Sequence, residues 1–186
     1  MGFQITGDSQ SDAVLDEYPF AILTGMLLDQ QYPMEHAFRG PAKILDRFGT
    51  LDPARIAAAD PEEFAALCAT PPAVHRFPGS MAARVRALAQ HVSEVHGGDA
   101  ARVWTDAASP DELRANLEAL PGFGEMKVKA LAAVLAKRYG VETATPLVPA
   151  HPTLGDVDSP AALAEYQASK RAHKAELRAQ RAAASG

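Results

Sequence analysis

One helix-start signal recurs along this chain and constrains its fold more than any other feature. A capping residue precedes a proline at Asp52-Pro53, Asp60-Pro61, Ser109-Pro110 and Ser159-Pro160. The capping side chain accepts a hydrogen bond from the first helical turn, and proline has the φ angle that the first helical position needs. No segment alternates apolar and polar residues as a half-buried strand does. The sequence therefore predicts an all-α fold with short loops.

The predicted helices cover most of the chain. An early helix begins at Tyr18-Pro19-Phe20, is apolar on most sides and ends at Gln30-Gln31, so we expect it at the centre of the core. A second helical stretch runs from Pro33 to Phe48 and is interrupted at Gly40-Pro41. Further helices are predicted over residues 53–59, 61–68, 80–96, 110–119, 125–139 and 160–183.

This pattern divides the chain into three segments. Residues 1–17 are interpreted as a loosely held N-terminal arm. Residues 18–140 form the helical core. In residues 141–186 a long, proline-rich loop leads to a final helix, which we expect to pack back on the N-terminal helices. A loop of this length inside a compact domain is usually functional or mobile.

The charges of the chain are segregated. Its 186 residues carry a formal net charge of −5, whereas general nucleic-acid binders are usually basic. Residues 1–38 contain six acidic side chains and no lysine or arginine, whereas residues 76–86 contain Arg76, Arg84 and Arg86 and no acid. Such segregation suits a protein that presents one face to an anion, although solvated helix faces give a similar pattern.

The single cysteine limits the cofactors. Cys68 alone excludes an internal disulfide, a four-cysteine zinc site and a cysteine-ligated iron–sulfur cluster. No metal site built from side chains is predicted. No apolar run reaches the roughly 18 residues that span a bilayer, and the N-terminus lacks the basic start and apolar stretch of a signal peptide. We therefore expect a cytoplasmic protein without a membrane partner.

Two glycines flank one apolar residue in Leu120-Pro121-Gly122-Phe123-Gly124, between two predicted helices. Glycine permits a positive φ and the close approach of another backbone. The second glycine also opens a helix, whose free N–H groups and positive dipole end suit a phosphate. Lys127 and Lys129 add positive charge there. An ordinary turn between two packed helices would contain the same glycines, so both interpretations are open at this point.

Four short motifs in a set order carry a family resemblance. They are residues 18–23 (YPFAIL), 27–31 (LLDQQ), 77–82 (FPGSMA) and 120–124 (LPGFG). In this order they resemble four motifs of the helix-hairpin-helix (HhH-GPD) base-excision DNA repair superfamily, which includes endonuclease III and alkyladenine glycosylase. Those motifs are the opening helix, the LLSAQ motif, a loop that starts a helix, and the LPGVG hairpin. The resemblance implies a helix-hairpin-helix DNA glycosylase-like helical bundle over roughly residues 18–140, of a small bacterial subfamily without an iron–sulfur cluster.

The resemblance also implies double-stranded DNA as the partner. Gln31 matches the glutamine that fills the gap left by a flipped base, and Phe77 matches the apolar wedge that enters the base stack. A polar helix end and a core aromatic are the alternative interpretations of these two residues. The hairpin would hold a DNA phosphate through backbone N–H groups, with a monovalent cation on nearby carbonyls. The residues implied at this phosphate site are Gly122, Phe123, Gly124, Met126, Lys127 and Lys129.

Several further side chains are candidates for lining a pocket beside these motifs. For the histidines among them a structural role is the alternative, since a lone histidine near prolines is commonly structural. The candidates are Gln30, Tyr32, His75, Arg76 and His151.

The chain departs from the family at the catalytic position. The family has an aspartate about twenty residues beyond the second hairpin glycine, where the carboxylate stabilises the sugar cation or activates water. Here that place falls at residues 144–146, Ala-Thr-Pro. Asp156 and Asp158 remain as candidates for catalysis, with Glu142 as an outside one. The alternative is that Asp158 caps the last helix and Asp156 belongs to a turn.

A second departure concerns strand cleavage. Bifunctional members of the family have a lysine two residues past the second hairpin glycine, which forms a Schiff base with the sugar. Here that residue is Met126, and Lys127 lies one residue later, about 100° around the helix. We therefore expect no AP-lyase activity.

The preferred interpretation is a DNA repair hydrolase: a monofunctional DNA N-glycosylase that releases a damaged or mispaired base by attack of water. We expect it to be a monomer associated with the nucleoid. The alternative is a catalytically inactive helix-hairpin-helix protein that binds damaged or bent duplex DNA. A third class, a protein-interaction module that has lost DNA binding, is admissible because of the negative net charge.

Overall fold

Eleven α-helices and two 3₁₀ turns build residues 2–185, the part of the chain that the computed structural model describes. Within these residues 68% are helical and none forms a strand, so the all-α prediction is confirmed. The helices are α1 Ser9–Glu17, α2 Pro19–Leu28, α3 Met34–Ala37, α4 Gly40–Phe48, α5 Pro53–Ala58, α6 Pro61–Ala69, α7 Pro78–Val95, α8 Arg102–Thr105, α9 Pro110–Glu118, α10 Glu125–Arg138 and α11 Pro160–Ala184.

The repeated start signals fold as predicted. Asp60 accepts hydrogen bonds from two backbone N–H groups of the first turn of α6, both at 3.0 Å, and Asp52 caps α5 in the same way. The hydroxyl oxygens of Ser109 and Ser159 accept from first-turn N–H groups of α9 and α11 at 3.2 and 3.1 Å. These signals are local in sequence, which is why the starts of four helices follow directly from them.

Helix α2 lies at the centre of the core, as its sequence predicts. Every residue from Phe20 to Leu28 is buried, and the helix contacts α1, α3, α4, α7 and α10. A helix that is apolar on all sides is stable only when other elements surround it. Gly25 permits the closest of these contacts, because a Cβ at this position would lie 2.3 Å from the ring of Phe38.

The interpretation of residues 1–17 as a loosely held arm is wrong for the described residues 2–17. Phe3, Ile5 and Leu15 are buried in the core, and Ser9–Glu17 forms α1. The carboxylate of Asp12 accepts the N–H groups of Ile5 and Thr6 at 3.1 and 3.0 Å. The sequence does not predict this helix because it contains few apolar residues. Buried hydrogen bonds to the Asp12 carboxylate hold the segment in place.

The long loop after α10 is ordered by packing. Its two 3₁₀ turns, Glu142–Leu147 and Leu154–Asp156, lie against α10, and the first also contacts α9. Gly155 makes the second turn possible, because a Cβ there would lie 2.6 Å from the carbonyl oxygen of Ala133. The loop therefore returns along α10 before the last helix begins.

Only the first half of α11 contacts the rest of the protein. Leu163 and Tyr166 are partly buried against the core, and Gln167 donates a hydrogen bond to Glu35 at 3.0 Å. From Arg171 onward every described residue of the helix is exposed. The expected packing of this segment on the N-terminal helices is thus limited to the neighbourhood of α2 and α3. No helix within residues 2–185 is long and apolar enough to cross a membrane.

We expect Asp12→Ala to destabilise the whole protein. The substitution leaves two buried backbone N–H groups without an acceptor, each of which costs about 1–3 kcal/mol. The free energy of unfolding, measured by urea denaturation, should fall by roughly 2–6 kcal/mol. Asp46→Ala, at an exposed position of α4, is the control and should leave stability nearly unchanged. Equal stability of Asp12→Ala and wild type would restore the loose-arm interpretation.

Candidate nucleic-acid interface

The hairpin joins α9 to α10 and rests on the end of α2. Gly122 has a φ of +83°, and a Cβ there would lie 2.7 Å from a methyl carbon of Leu27. Only glycine satisfies both the left-handed backbone and the close contact. The side chain of Phe123 is buried and its N–H donates to the carbonyl of Leu120 at 3.1 Å. Phe123 therefore fixes the turn from inside and offers only its backbone to a ligand.

The start of α10 leaves backbone donors free. Gly124 is the N-cap residue, has no side chain to cap the helix and is exposed. Within residues 2–185 the N–H groups of Gly124, Glu125 and Met126 have no hydrogen-bond acceptor. Such N–H groups, together with the positive end of the helix dipole, form a site for an anion.

The charged side chains beside these donors balance each other. Lys129 forms an ion pair with Glu125 at 2.8 Å, and both are exposed. The hydrogen bond from Lys129 also lowers the pKa of Glu125 below its ordinary value. Met126 has 83% of its surface exposed. The backbone is thus the main anion-binding feature of this turn, with Lys129 as the accessible cation.

The ammonium of Lys127 is engaged by backbone carbonyls, whereas the sequence predicts a free cation for a phosphate. Its ammonium donates hydrogen bonds to the carbonyl oxygens of Met26 and of Asp29, the latter at 3.1 Å. These carbonyls belong to the last turn of α2, where acceptors lack intrahelical donors. Burial lowers the pKa of the Lys127 amine, and the Asp29 carboxylate opposes this effect. Lys127 therefore attaches the start of α10 to the end of α2.

The chain turns sharply immediately after α2. Gln30 caps the helix, because its side-chain amide donates to the carbonyl of Leu27 at 2.8 Å, and its amide oxygen accepts from Arg84 at 2.9 Å. Gln31 follows with a φ of +52° and is exposed. A positive φ is uncommon for a residue other than glycine. The turn directs Gln30 inward and leaves Gln31 in solvent.

His75 connects this turn to the loop before α7. Its Nε2 lies 2.8 Å from the carbonyl oxygen of Gln30, and its Nδ1 lies 3.0 Å from the N–H of Phe77. The first contact requires a donor and the second an acceptor, so the neutral ring with the proton on Nε2 satisfies both. His75 is buried, and this burial lowers its pKa. The ring of Tyr32 packs on it with centroids 4.7 Å apart.

Phe77 lies on the surface rather than in the core, so the alternative interpretation as a core aromatic is wrong. It exposes 46% of its surface, an unusual fraction for a phenylalanine. The guanidinium of Arg76 lies 5.1 Å from the centre of its ring. His75 thus holds an exposed aromatic and an exposed cation beside the turn that carries Gln31.

Asp156, one of the two candidate catalytic residues, is engaged in the segment after α10. Both carboxylate oxygens of Asp156 bind the ammonium of Lys137, at 2.7 and 2.8 Å, and the same carboxylate caps the 3₁₀ turn through Thr153. Lys137 lies at the end of α10 opposite the hairpin, so Asp156 is occupied in holding the loop on that helix. Asp158, Glu142 and His151 are exposed, and within residues 2–185 no hydrogen bond or ion pair joins their side chains to the hairpin or to Gln31.

A carboxylate inside the LLDQQ motif, which was not among the predicted site residues, also lies at the end of α2. Asp29, between Leu28 and Gln30, follows the last residue of α2, and its side chain is only 18% exposed. Lys170 of α11 approaches it at 3.5 Å, and burial together with the Asp29 charge raises the pKa of Tyr166 to about 12. The available signal was an acidic residue in place of serine in the LLSAQ-like motif.

No group of three His, Cys, Asp or Glu side chains within residues 2–185 is arranged to hold a metal ion. Cys68 is buried, and burial raises the pKa of its thiol to about 11, so it behaves as a small core residue. The absence of an iron–sulfur cluster and of other cofactors stays a prediction.

A comparison with protein families identifies the chain at this point. Residues 24–182 match the HhH-GPD superfamily of base excision DNA repair proteins. The chain belongs to that superfamily. The matched region contains the whole LLDQQ motif, the His75 loop, the hairpin and most of α11. The family assignment therefore covers every element of the interface. No curated protein matches the sequence.

We expect His75 to make the fold sensitive to acid. Its pKa in the folded protein is lowered, so on acidification the unfolded chain takes up the proton first, around pH 6.5. The stability that neutral His75 contributes is therefore present above that pH and lost below it. Denaturation at pH 7.5 and 5.5 should show a smaller loss of stability for His75→Gln than for wild type.

His91 and His96, whose pKa values burial also lowers, contribute equally to both proteins and cancel in this comparison. His173→Gln, at an exposed position of α11, is the control and should show the wild-type pH dependence. The same loss in His75→Gln and wild type would contradict the assignment of a buried neutral ring to His75.

Proposed function

We propose that this protein is a monofunctional DNA N-glycosylase that hydrolyses the bond between a damaged or mispaired base and its deoxyribose in duplex DNA. One observation carries the proposal. The free N–H groups of the hairpin, the exposed Gln31 turn and the exposed Phe77 belong to three segments that hydrogen bonds of Lys127 and His75 hold together. A protein that only needed packed helices would have no use for these three exposed features together.

The hairpin supplies the anchor. The N–H groups of Gly124, Glu125 and Met126 donate to the oxygens of one DNA phosphate, and Lys129 adds a cation that can exchange Glu125 for the phosphate. Hydrogen bonds from several backbone donors to a charged acceptor are worth about 1.5–3 kcal/mol each. Phosphate contacts of this kind position a protein on DNA without reading the bases.

A monovalent cation is part of the proposal. Within residues 2–185 the carbonyl oxygens of Pro121, Gly122 and Phe123 accept no hydrogen bond, and carbonyl oxygens are suitable ligands for a hard cation. A cation bound there would add positive charge next to the phosphate.

Gln31 and Phe77 stabilise the distorted duplex. Taking a base out of the stack costs a few kcal/mol and leaves a gap between its neighbours. Gln31 offers a side-chain amide that hydrogen-bonds the bases around the gap, and Phe77 inserts an apolar ring into the stack, as wedge residues do. Arg76 and Arg84, on the same surface, provide positive charge toward the backbone.

Attack by water, without strand cleavage, agrees with the lysines present. Met126, which has no amine, occupies the position of the Schiff-base lysine of bifunctional members and is exposed. The amine of Lys127 is hydrogen-bonded to two carbonyls, so it is not available as a nucleophile. We further propose a monomer that acts on nucleoid DNA in the cytoplasm, since the interface lies within one chain.

An inactive DNA-binding protein is the second candidate. It is favoured by the ion pair between Asp156 and Lys137, which removes one expected catalytic carboxylate from the interface. On this alternative the hairpin, Gln31 and Phe77 recognise bent or damaged duplex, and no base is released.

Base release from defined duplexes tests the proposal. Oligonucleotides that contain uracil, an alkylated purine, an oxidised base or a mismatch are incubated with the protein, and abasic sites are revealed by alkali. We expect at least one substrate to lose its base, with strand breaks only after alkali treatment. Binding at low salt without release from any substrate would favour the inactive candidate. No affinity for DNA at low salt would contradict both and favour a protein-interaction module.

A further inference from the structure

We propose that Asp29 supplies the carboxylate that stabilises the deoxyribose cation during base release. This inference rests on the proposed glycosylase function. It assigns the missing chemical group to a residue of the LLDQQ motif instead of to the segment after α10.

Asp29 lies where the three elements of the interface meet. It directly precedes Gln30 and Gln31, and its own carbonyl oxygen accepts a hydrogen bond from Lys127 at 3.1 Å. Leu27, two residues earlier, packs against Gly122 of the hairpin. A phosphate bound at the hairpin and a base flipped beside Gln31 therefore place the sugar between them near Asp29.

The position of Asp29 is unfavourable for stability. It follows the last residue of α2, where the helix dipole is negative and a carboxylate is destabilising. The charges of two ammonium groups, those of Lys127 and Lys170, attract the carboxylate and oppose this repulsion. A residue that costs stability in its local context is a candidate for a functional role.

The contact with Lys170 shows that the site accepts a cation. The ammonium lies 3.5 Å from the carboxylate and 5.6 Å from the centre of the Tyr166 ring. The Lys170 side chain is 39% exposed and belongs to α11, a helix that buries none of its described residues fully. Lys170 can therefore leave the carboxylate when a substrate cation takes its place.

Hydrolysis of the bond between the base and the deoxyribose needs one negative group beside the sugar. As the bond between C1′ and the base breaks, its electron pair leaves with the base, which takes up a proton from solvent. The sugar becomes a cation that the Asp29 carboxylate stabilises by charge. Water then adds to C1′, and the carboxylate accepts the proton that the water loses. The products are the free base and an abasic site, and no other reactant is required.

The other carboxylates near the interface are less suitable. Glu35 is engaged by Gln167 of α11, and Glu125 is exposed and paired with Lys129. Asp156 is held by Lys137 at the other end of α10. Asp29 combines partial burial with a position between the hairpin and Gln31.

The test compares two abasic-site analogues in the same duplex. One contains a pyrrolidine, which is positively charged like the sugar in the transition state, and the other a neutral tetrahydrofuran. Groups that act in a transition state bind its analogues much more tightly than they bind neutral counterparts. We expect wild type to prefer the cationic duplex by about tenfold or more, and Asp29→Asn to lose this preference while its affinity for the tetrahydrofuran duplex stays within about twofold.

Two further variants complete the design. Glu35→Gln is the matched control, since Glu35 is also a carboxylate that contacts α11, and it should keep the wild-type preference. Lys170→Gln removes the competing ammonium and should increase the preference. Taking the ratio of the two affinities cancels any general loss of electrostatic attraction in these variants, and urea denaturation verifies that each is folded.

The outcomes separate this inference from the proposed function. Equal affinity of wild type for the two duplexes, or an unchanged preference in Asp29→Asn, would overturn the role of Asp29 and leave the glycosylase proposal to the base-release assay. Failure of wild type to bind either duplex at low salt would overturn both.

Discussion

The ammonium of Lys127 joins the start of α10 to the end of α2, and the whole candidate interface depends on this contact. A lysine in this place satisfies the last carbonyls of a buried helix that has few other donors near its end. His75 makes a similar connection between the end of α2 and the loop before α7. One of its ring nitrogens contacts the carbonyl oxygen of Gln30, and the other contacts the N–H of Phe77. Three segments that are distant in sequence are thus joined by two polar side chains, the buried His75 and the half-buried Lys127.

This arrangement divides the work between side chains and backbone. Lys127, which the family resemblance placed at the DNA, and His75, a predicted pocket residue, hold the segments in place instead. Within residues 2–185 the groups exposed toward a ligand include backbone N–H groups of the hairpin, Gln31, Phe77, Arg76 and Lys129. That division explains how a chain with a net charge of −5 can belong to a DNA repair superfamily, because local donors and local charge, rather than total charge, decide phosphate binding.

Much of the fold follows from the sequence because its strongest signals are local. Cap-and-proline pairs start four helices as predicted, and the hairpin glycines mark a real turn. What the sequence did not reveal depends on contacts between distant residues. The order of residues 2–17 comes from Asp12, the direction of Lys127 from the end of α2, and the engagement of Asp156 from Lys137. The sequence shows Asp29 within the LLDQQ motif but does not indicate a role for it, because its neighbours Lys127 and Lys170 are close only in the folded chain.

The central claim is that backbone N–H groups of the hairpin hold DNA. The affinity of two Gly124 variants for a duplex with a tetrahydrofuran abasic site tests this claim most directly. A Cβ at Gly124 meets no atom within 4 Å, and its φ of −86° suits alanine and needs an adjustment of only about 20° for proline. Gly124→Ala keeps the N–H and should bind like wild type. Gly124→Pro removes it and should bind about tenfold more weakly, the loss of one hydrogen bond to a charged group. Equal affinity of the two variants would contradict the account.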